Sequence, residues 1–474
     1  MKYQVVIGLE IHAQLLTNSK MFCSCSSKFG DAPNTNICPV CTAQPGTLPV
    51  LNSRAVELAI KTALALNCKI NRESIFARKN YFYPDLPKGY QISQYDRPLA
   101  EKGWVEICSK EGESKKIGIT RVHLEEDAGK NTHNEVGSYV DLNRAGAPLV
   151  EIVSEPDMSS PQEAVSYFKK LKLLLECLET CACNMEEGNL RCDANISLMP
   201  VGSKTFGTKV EIKNLNSFRF LEKAISYEVQ RQTDVLNAGG TIEQETRLFD
   251  SSNDVTKSMR KKEQANDYKY FPEPDLMPLL ADDDLLRKIK DSIPELPDAK
   301  KHRMMTQYLI GAYDAEVLSS NTMLASYYES VVLRTGEPKL SSNWIQTEVM
   351  RVLNEKKIEI SDFCISSDSL AELIKMVKNG LINQNTAKEV FNDMLGSSKS
   401  AKEIVAEKGL SQIQDESAIE KIVTEVIEVS AEQIKQYKEG KTNVMGYLVG
   451  VVMKKSKGKA NPSVVNALLK KKLG

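Results

Sequence analysis

Apolar and polar residues alternate along the first segment of the chain, VVIGLEIHAQL at residues 5–15. In an extended strand successive side chains point to opposite faces, so Ile7 and Ile11 share an apolar face. The other face then carries Glu10 and His12 as neighbours. Taken by itself, this strand allows two interpretations: the solvated face of an antiparallel sheet, or part of a polar functional site.

Four further segments show the same alternation. They are TRVHLEED, YVDLNRAG, LRCDANIS and TKVEIKNLN, which begin at residues 120, 139, 190 and 208. If the five segments are neighbours in one sheet, that sheet has an apolar back and a polar front. The polar front would carry the following side chains: Glu10, His12, Glu125, Asp193, Glu211, Arg191, Lys209 and Lys213.

This mixture of side chains differs from an ordinary solvated face, which usually combines threonine, lysine and glutamate loosely. Carboxylate oxygens with an imidazole suit Mg²⁺ or Mn²⁺, and interspersed lysine and arginine suit phosphate oxygens. Phosphoryl transfer depends on positioned cations, so the combination favours a metal-assisted nucleotide or phosphoryl site. A plain solvated face remains the alternative interpretation.

Two other segments bear on nucleotide binding. GSKTFGTK at residues 202–209 resembles a phosphate-binding loop, but Thr208 and Lys209 stand in reversed order and a strand follows, so that motif is rejected. Residues 77–94, ARKNYFYPDLPKGYQISQ, combine Lys79 with four aromatic residues. Such residues could contact phosphates and stack on bases, whereas the alternative is a loop packed by its own aromatic side chains.

Four of the eleven cysteines are closely spaced. Cys23 and Cys25 form a C-x-C pair, and Cys38 and Cys41 form a C-x-x-C pair with prolines and glycines nearby. Two such pairs on turns are typical of a structural Zn²⁺ with four thiolate ligands. Free buried thiols are the alternative, and we expect the other seven cysteines to be packing residues.

The organisation of the chain changes along its 474 residues. Strand patterns, glycines and prolines dominate residues 1–294, whereas apolar residues recur at helical spacing from 295 onward. We predict an α+β protein: a mixed or antiparallel sheet domain at 1–294, a helical domain at 295–407, and a small helical tail domain at 408–474. The last 35 residues contain eight lysines and no acidic residue, which makes a basic patch at one end of the chain.

Composition and charge exclude several classes of protein. The net charge is −1, so there is no overall basic signature. No run approaches the ~18 apolar residues of a membrane span, and the first residues lack a signal peptide pattern, so we expect a cytoplasmic protein with no membrane contact.

Long motifs across the whole chain resemble one known family, the B subunits of the aspartyl/glutamyl-tRNA(Asn/Gln) amidotransferases. They are GLEIHAQL, FCSC with CPVC, RKNYFYPDLPKGYQISQ, HLEEDAGK, DLNRAGAPLVEIVSEPD, NMEEGNLRCDANIS, VEIKNLNSFR, DYKYFPEPDL and, in the tail, LVGVVMKKSKGKANP. The resemblance implies a heterotrimer, the GatCAB complex, in which the partners are a glutaminase and a small third chain. It also implies a misacylated tRNA as substrate, with ATP and Mg²⁺ activating the side-chain carboxylate of its Glu or Asp for amidation by ammonia.

By matching positions, the resemblance implies Glu10, His12 and Glu125 as catalytic metal ligands, with Asp193 and Glu211 as weaker candidates. Lys79, together with Arg191, Lys209 and Lys213, would contact the nucleotide. Two rival functions remain: a tRNA-binding subunit without catalysis, and a free-standing metallohydrolase. The sequence leaves open whether Glu-tRNA, Asp-tRNA or both are the substrate.

Overall fold

The computed structural model describes residues 2–108, 113–133, 137–261, 268–397, 399–410, 416–438, 444–456 and 460–473. The chain divides into two compact units, Met1–Pro297 and Asp298–Gly474. The described part of the first unit combines sheets with helices, and that of the second is entirely helical. The predicted α+β class is therefore confirmed, and the division into three domains stays a prediction.

The first unit contains sixteen strands and four helices in its described residues. The strands are β1 (Tyr3–Gln14), β2 (Lys69–Ile70), β3 (Glu73–Ser74), β4 (Phe76–Asn80), β5 (Tyr90–Gln94), β6 (Ala100–Cys108), β7 (Ser114–Glu126), β8 (Lys130–His133), β9 (Ser138–Asp141), β10 (Pro148–Ser154), β11 (Leu190–Pro200), β12 (Val210–Lys213), β13 (Glu245–Asp250), β14 (Val255–Lys261), β15 (Phe271–Pro272) and β16 (Leu279–Leu280). The helices are α1 (Ser53–Ala65), α2 (Pro161–Cys177), α3 (Phe218–Asn237) and α4 (Asp283–Asp291).

Nine strands form the main sheet, in the order β14-β13-β12-β11-β1-β10-β7-β6-β2. All neighbours are antiparallel except β12 and β13, which run parallel. A smaller sheet has the order β15-β4-β5, and two-stranded pairs join β3 with β16 and β8 with β9. Strand β1 lies at the centre of the main sheet, so its polar face is flanked by strands on both sides.

The back of the main sheet is the core of the first unit. Ile7, Leu9 and Ile11 are at most 1% exposed, as their alternation predicts, and they pack in one apolar cluster with residues of α1, α2 and α3. Burying each such side chain contributes about 1.5–3 kcal/mol. Polar caps fix where these helices begin: the side chains of Asn52, Ser160 and Ser217 accept hydrogen bonds from the first turns of α1, α2 and α3.

One of the five alternating segments was assigned wrongly. YVDLNRAG does not join the main sheet, because β9 pairs with β8 and the segment then turns at Gly146, which has φ +86°. Its polar side chains form hydrogen bonds with a neighbouring loop. Asp141 Oδ1 accepts one from the backbone N–H of Asn34, and the Asn143 side-chain amide donates one to the Ala32 carbonyl. The adjacent strand β10, PLVEIVS, takes its place in the sheet.

The second unit contains helices with two apolar cores. The α-helices are α5 (Pro297–Gln307), α6 (Ala312–Ser319), α7 (Thr322–Thr335), α8 (Pro338–Trp344), α9 (Met350–Lys356), α10 (Ser367–Lys378), α11 (Gln384–Leu395), α12 (Ala401–Glu407), α13 (Glu416–Val429), α14 (Ala431–Lys438), α15 (Val444–Lys455) and α16 (Pro462–Leu473), with a π-helical turn at Ile345–Val349 and a 3₁₀ turn at Ile360–Asp362. One core lies between Met304 and Val405 and the other between Ile419 and Leu473. Among the described residues, none of the helices has the length and hydropathy of a membrane span.

Candidate active site and metal centres

A row of polar side chains crosses four adjacent strands of the main sheet. His12 on β1 lies opposite Glu151 on β10 and opposite Arg191 on β11. Glu151 in turn lies opposite His123 on β7. Since residues in register on an antiparallel sheet point to the same face, the sheet places these four side chains side by side.

The polar front forms one wall of a cavity of about 1380 Å³. All nine residues that the sequence assigned to metal or nucleotide binding at the sheet contribute to its lining: Glu10, His12, Lys79, Glu125, Arg191, Asp193, Lys209, Glu211 and Lys213. Glu151 and His123 line the same cavity. A cavity of this size can hold more than one ligand group at once.

Three residues that line the cavity, His12, Glu125 and Glu151, lie close enough together to bind one metal ion. His12 Nε2 lies 3.4 Å from Glu125 Oε1 and 3.3 Å from Glu151 Oε2. One candidate ligand atom from each residue lies within 4.8 Å of the other two. We call this group the metal triad. Two carboxylates and one imidazole suit Mg²⁺ or Mn²⁺ better than a soft metal, so the donor set fits the expected ion.

The side chains of the metal triad are titratable and mostly buried. Burial by itself would lower the pKa of His12, but the charges of Glu151 and then Glu125 raise it above its usual value overall. Burial likewise raises the pKa of Glu151, and the charges of His123 and His12 outweigh this and lower it well below its usual range. The pKa of Glu125 is lowered as well, so both carboxylates are ionised, whereas His12 would have to give up its proton before its Nε2 could bind a metal ion.

Two members of this arrangement were missing from the predicted site. Glu151 is the single charged residue of the mostly apolar strand PLVEIVS, and only 10% of its side chain is exposed. His123 Nε2 lies 3.1 Å from Glu151 Oε2 and 3.7 Å from Glu125 Oε2, and its Nδ1 has no partner among the described residues. The signal for Glu151 was present in the sequence: a lone charge in a buried strand needs a partner or a function.

The other three predicted metal ligands lie outside the metal triad. Glu10 lies opposite Asp193 in the register of β1 and β11. Lys213 Nζ lies 2.5 Å from Asp193 Oδ2 and 3.2 Å from Glu211 Oε1. The Asn195 side-chain amide donates to Glu10 Oε1 at 2.8 Å. These residues therefore form a second acidic end of the cavity, which also contains lysine.

The smaller sheet brings Lys79 to the cavity. Strand β4 pairs with β5, and β5 packs against β7, where Ser93 donates a hydrogen bond to Glu125 Oε2 at 3.2 Å. Lys79 Nζ lies 5.0 Å from the ring centre of Tyr268 and makes no ion pair within 4.0 Å with any described residue. Burial by itself would lower the pKa of Lys79, but the nearby Tyr270, Glu125 and Glu151 outweigh this and raise it above its usual value, so the amine stays protonated.

Arg191 is tied to a neighbouring carboxylate. Its Nη2 lies 2.8 Å from Asp127 Oδ2, and Arg144 Nε lies 3.3 Å from the same oxygen. Only 6% of the Asp127 side chain is exposed. This pairing holds Arg191 on the polar front beside His12, while its Nε has no partner among the described residues.

Aromatic side chains surround the mouth of the cavity. Tyr95 and Tyr270 stack with ring centres 4.2 Å apart, and Tyr81 packs edge-on against Tyr268. In contrast, 87% of Phe82 is exposed. The loop after β4 thus packs against an aromatic residue from another segment, and it also presents the exposed Phe82 ring at the cavity.

The four closely spaced cysteines form a second metal-compatible group. The Sγ atoms of Cys23, Cys25, Cys38 and Cys41 all lie within 4.8 Å of one another. A hydrogen bond from Cys23 lowers the pKa of Cys41 to about 4. The buried Lys20 ammonium lies 3.5 Å from Cys41 Sγ and adds to this effect. Four thiolates at this spacing fit a tetrahedral Zn²⁺.

The geometry defines a class of site: a sheet face that groups possible metal ligands with lysine and arginine side chains in one large cavity. Comparison with known families then gives a closer relationship. The model of the GatB/GatE catalytic domain matches residues 5–287, and that of the GatB domain matches residues 326–473.

Curated relatives extend over the whole chain. Proteins named as the B subunit of aspartyl/glutamyl-tRNA(Asn/Gln) amidotransferase are 53% identical in Thermodesulfovibrio yellowstonii, over 99% of both chains, and 52% identical in Geobacter sp. and in Thermoanaerobacter pseudethanolicus, over 100% of each chain. The chain belongs to this family of amidotransferase B subunits.

Proposed function

We propose that this chain is the tRNA-binding and carboxylate-activating subunit of an amidotransferase that converts Glu-tRNA(Gln) or Asp-tRNA(Asn) into Gln-tRNA(Gln) or Asn-tRNA(Asn). The observation that carries the proposal is the metal triad together with Lys79 in one large cavity. The relatives bear the name of an enzyme that acts on these tRNAs, and their chains match this one end to end.

The proposed chemistry follows from the weakness of a carboxylate as an electrophile. A side-chain carboxylate oxygen of the esterified amino acid attacks the γ-phosphorus of ATP, and ADP leaves. Ammonia then attacks the acyl carbon of the resulting acyl phosphate, and inorganic phosphate leaves. Both steps balance with ATP and ammonia as the only co-reactants, and phosphate is a far better leaving group than oxide.

His12, Glu125 and Glu151 would hold Mg²⁺, which supplies charge neutralisation to the phosphates. Lys79 contributes a second cation, since its protonated amine faces the cavity and makes no ion pair with the described residues. We assign Lys79 to a phosphate oxygen. Positioned cations are the main requirement of phosphoryl transfer, and the polar front supplies them beside the acceptor carboxylate.

Ammonia would come from a glutaminase partner, and a small third chain would complete the heterotrimer. The lysine-rich tail would bind the tRNA backbone. Lys454, Lys470 and Lys471 are exposed and could meet phosphates directly, whereas residues 457–459 of the KKSKGKANP motif lie outside the described residues. The exposed Phe82 ring suits stacking with an unpaired base at the cavity mouth.

Two rival functions make different predictions for the polar front. A tRNA-binding subunit without catalysis gains nothing from buried, ionised carboxylates, which cost free energy unless a ligand or function needs them. A free-standing metallohydrolase would not need ATP or an aminoacyl ester. ATP dependence and substrate dependence therefore separate the three functions.

The test bypasses the glutaminase by supplying ammonium chloride to the assembled complex. ADP and amidated tRNA are followed together in the wild type, in Glu151→Gln and in Glu222→Gln, a surface control on α3. We expect the first variant to lose both products, because ammonia cannot replace activation, and the control to match the wild type. Wild-type ADP formation that is independent of misacylated tRNA would reject the proposal.

A further inference from the structure

Arg121 on β7 is a cation of the polar front that the proposed function does not use. It lies two residues before His123, so both side chains point to the same face of the sheet, and both line the cavity. Register places Arg121 opposite Val153 on β10, one step along the strands from the row that contains His123 and Glu151. This step is about 7 Å, the distance between alternate residues of a strand. An extended ligand bound at the metal triad can therefore also contact Arg121.

No carboxylate of the described residues neutralises Arg121. Its guanidinium makes no ion pair within 4.0 Å with any of them, and its buried Nε has no hydrogen-bond partner among them. The other arginines of the first unit that are described as partly buried each pair with a carboxylate: Arg78, Arg144, Arg191, Arg231 and Arg247.

This exception is unfavourable unless a ligand compensates it. A guanidinium is always protonated in proteins, and a charged donor that is partly removed from water without a partner costs free energy. A ligand with negative charge and acceptor oxygens would supply what the described residues do not. Arg121 is therefore a candidate contact for an oxyanion.

Arg121 shares its surroundings with Lys79. Burial raises the pKa of Tyr270 to about 12, and the positive charges of Lys79 and of Arg121 both oppose this rise, so the two cations lie near one hydroxyl group. Like Arg121, Lys79 makes no ion pair within 4.0 Å with the described residues. The cavity thus has two cations close together that lack carboxylate partners in the described part of the chain.

Two such cations favour a polyanion over a single carboxylate. One carboxylate needs only one of them, whereas a polyphosphate carries several negative charges close together. Phosphoryl-transfer sites commonly direct several cations at one polyphosphate, and a guanidinium can donate to two phosphate oxygens at once. Arg144 and Arg191, in contrast, already share the carboxylate of Asp127.

We propose that Arg121 binds phosphate oxygens of the ATP polyphosphate, beside Lys79. The assignment deepens the proposed function and rests on it. Arg121 would fix the nucleotide relative to the metal triad, so its loss should weaken the binding of ATP and leave the binding of tRNA unchanged.

The test measures equilibrium binding of AMP-PNP, an ATP analogue that does not transfer its phosphate, to the assembled complex with Mg²⁺ and without tRNA. We expect Arg121→Gln to weaken this binding by about tenfold or more, because charged hydrogen bonds to phosphate are lost. Arg121→Lys keeps the charge without the planar fork of donors, so it should recover part of the affinity.

The controls separate a lost phosphate contact from damage to the sheet. Binding of Glu-tRNA without nucleotide should be unchanged in both variants, which a general disruption of the polar front would not allow. Arg219→Gln, at an exposed arginine on α3, is the matched control. It should bind AMP-PNP and Glu-tRNA as the wild type does, because α3 packs on the back of the main sheet.

Unchanged AMP-PNP affinity in Arg121→Gln would overturn the assignment. Weaker binding of both Glu-tRNA and uncharged tRNA would place Arg121 at a tRNA phosphate instead, and a loss confined to Glu-tRNA would place it at the substrate carboxylate. Either result contradicts the assignment. A wild type that does not bind AMP-PNP would instead reject the proposed function, and this assignment with it.

Discussion

The two faces of the main sheet are made by the same strands and obey different physical rules. On the back, Ile7, Leu9 and Ile11 are excluded from water by three helices, and their burial stabilises the fold. On the front, the titratable side chains of His12 and Glu151 are 19% and 10% exposed. Removing charges from water costs several kcal/mol per ion, and on the front this cost is offset by contacts between oppositely charged groups, such as Glu151 with His12 and His123.

This difference indicates that, within one strand, the residues of one face stabilise the fold and those of the other face serve the chemistry. Side chains that differ by one position in β1 should affect different properties: the odd-numbered apolar residues stability, and the even-numbered polar residues chemistry. Substitutions on the two faces can break or sharpen this view.

The largest effect is expected on the front. Glu151→Gln keeps the shape of the side chain and removes a charge from the metal triad, so the rate of carboxylate activation should fall by about 100-fold or more. The melting temperature should fall as well, because Glu151→Gln removes the charged partner of His12 and His123, so the rates are compared at a temperature where both proteins are folded. A similar loss in His12→Ala and Glu125→Gln would show that the three residues act together.

A variant with normal ADP and product formation would mean that the metal triad is only a polar surface. The single-turnover rate with saturating ATP is the appropriate measurement, since it reports activation without product release.

The next effect is expected on the back. Ile11→Ala should lower the free energy of unfolding by about 2–5 kcal/mol, because the residue is completely buried and leaves a cavity. The kcat of the folded fraction should be nearly unchanged. Denaturant titration of the subunit tests this, with Val201→Ala as a control because 65% of Val201 is exposed. Loss of kcat without loss of stability would contradict the division between the faces.

Substitutions in the cysteine cluster should lower stability, as substitutions on the back of the sheet do. We expect one Zn²⁺ per chain by elemental analysis of protein prepared without chelators, and loss of that ion with a lower melting temperature in Cys38→Ser. Cys108→Ser, at an exposed cysteine, is the control. A wild type without zinc would reject the structural metal.

The smallest effect is expected in the tail. Replacing Lys454, Lys470 and Lys471 by alanine should raise the KM for tRNA several-fold and make it less sensitive to salt, since each lost phosphate contact lowers the salt slope by about one. The glutaminase activity of the partner, measured without tRNA, should be unaffected. An unchanged KM and salt slope would remove these lysines from tRNA binding.

The sequence predicted much of this arrangement because strand alternation maps directly onto sheet faces. The pattern in VVIGLEIHAQL identified both faces of β1, and the paired cysteines identified their cluster. It placed YVDLNRAG wrongly because alternation does not say which strands are neighbours. Asp141 and Asn143 alternate with apolar residues for a local reason, the fastening of the loop near Asn34.

Glu151 was missed for the opposite reason. PLVEIVS has the pattern of an apolar strand, and its single carboxylate becomes meaningful only when β10 lies between β1 and β7. Likewise, the separation of Glu10 from the metal triad depends on side-chain conformations that periodicity does not encode. The sequence thus identified the polar front, and the division of that front into two ends required the three-dimensional arrangement.

The position of a bound metal ion tests the role of the polar front most directly. Crystals of the assembled complex soaked in Mn²⁺ should give an anomalous diffraction peak at His12 Nε2 and the carboxylates of Glu125 and Glu151, at ligand distances of about 2.0–2.6 Å. No peak at the metal triad under saturating Mn²⁺ would contradict the central claim that the metal triad on this face of the sheet is a metal-assisted activation site.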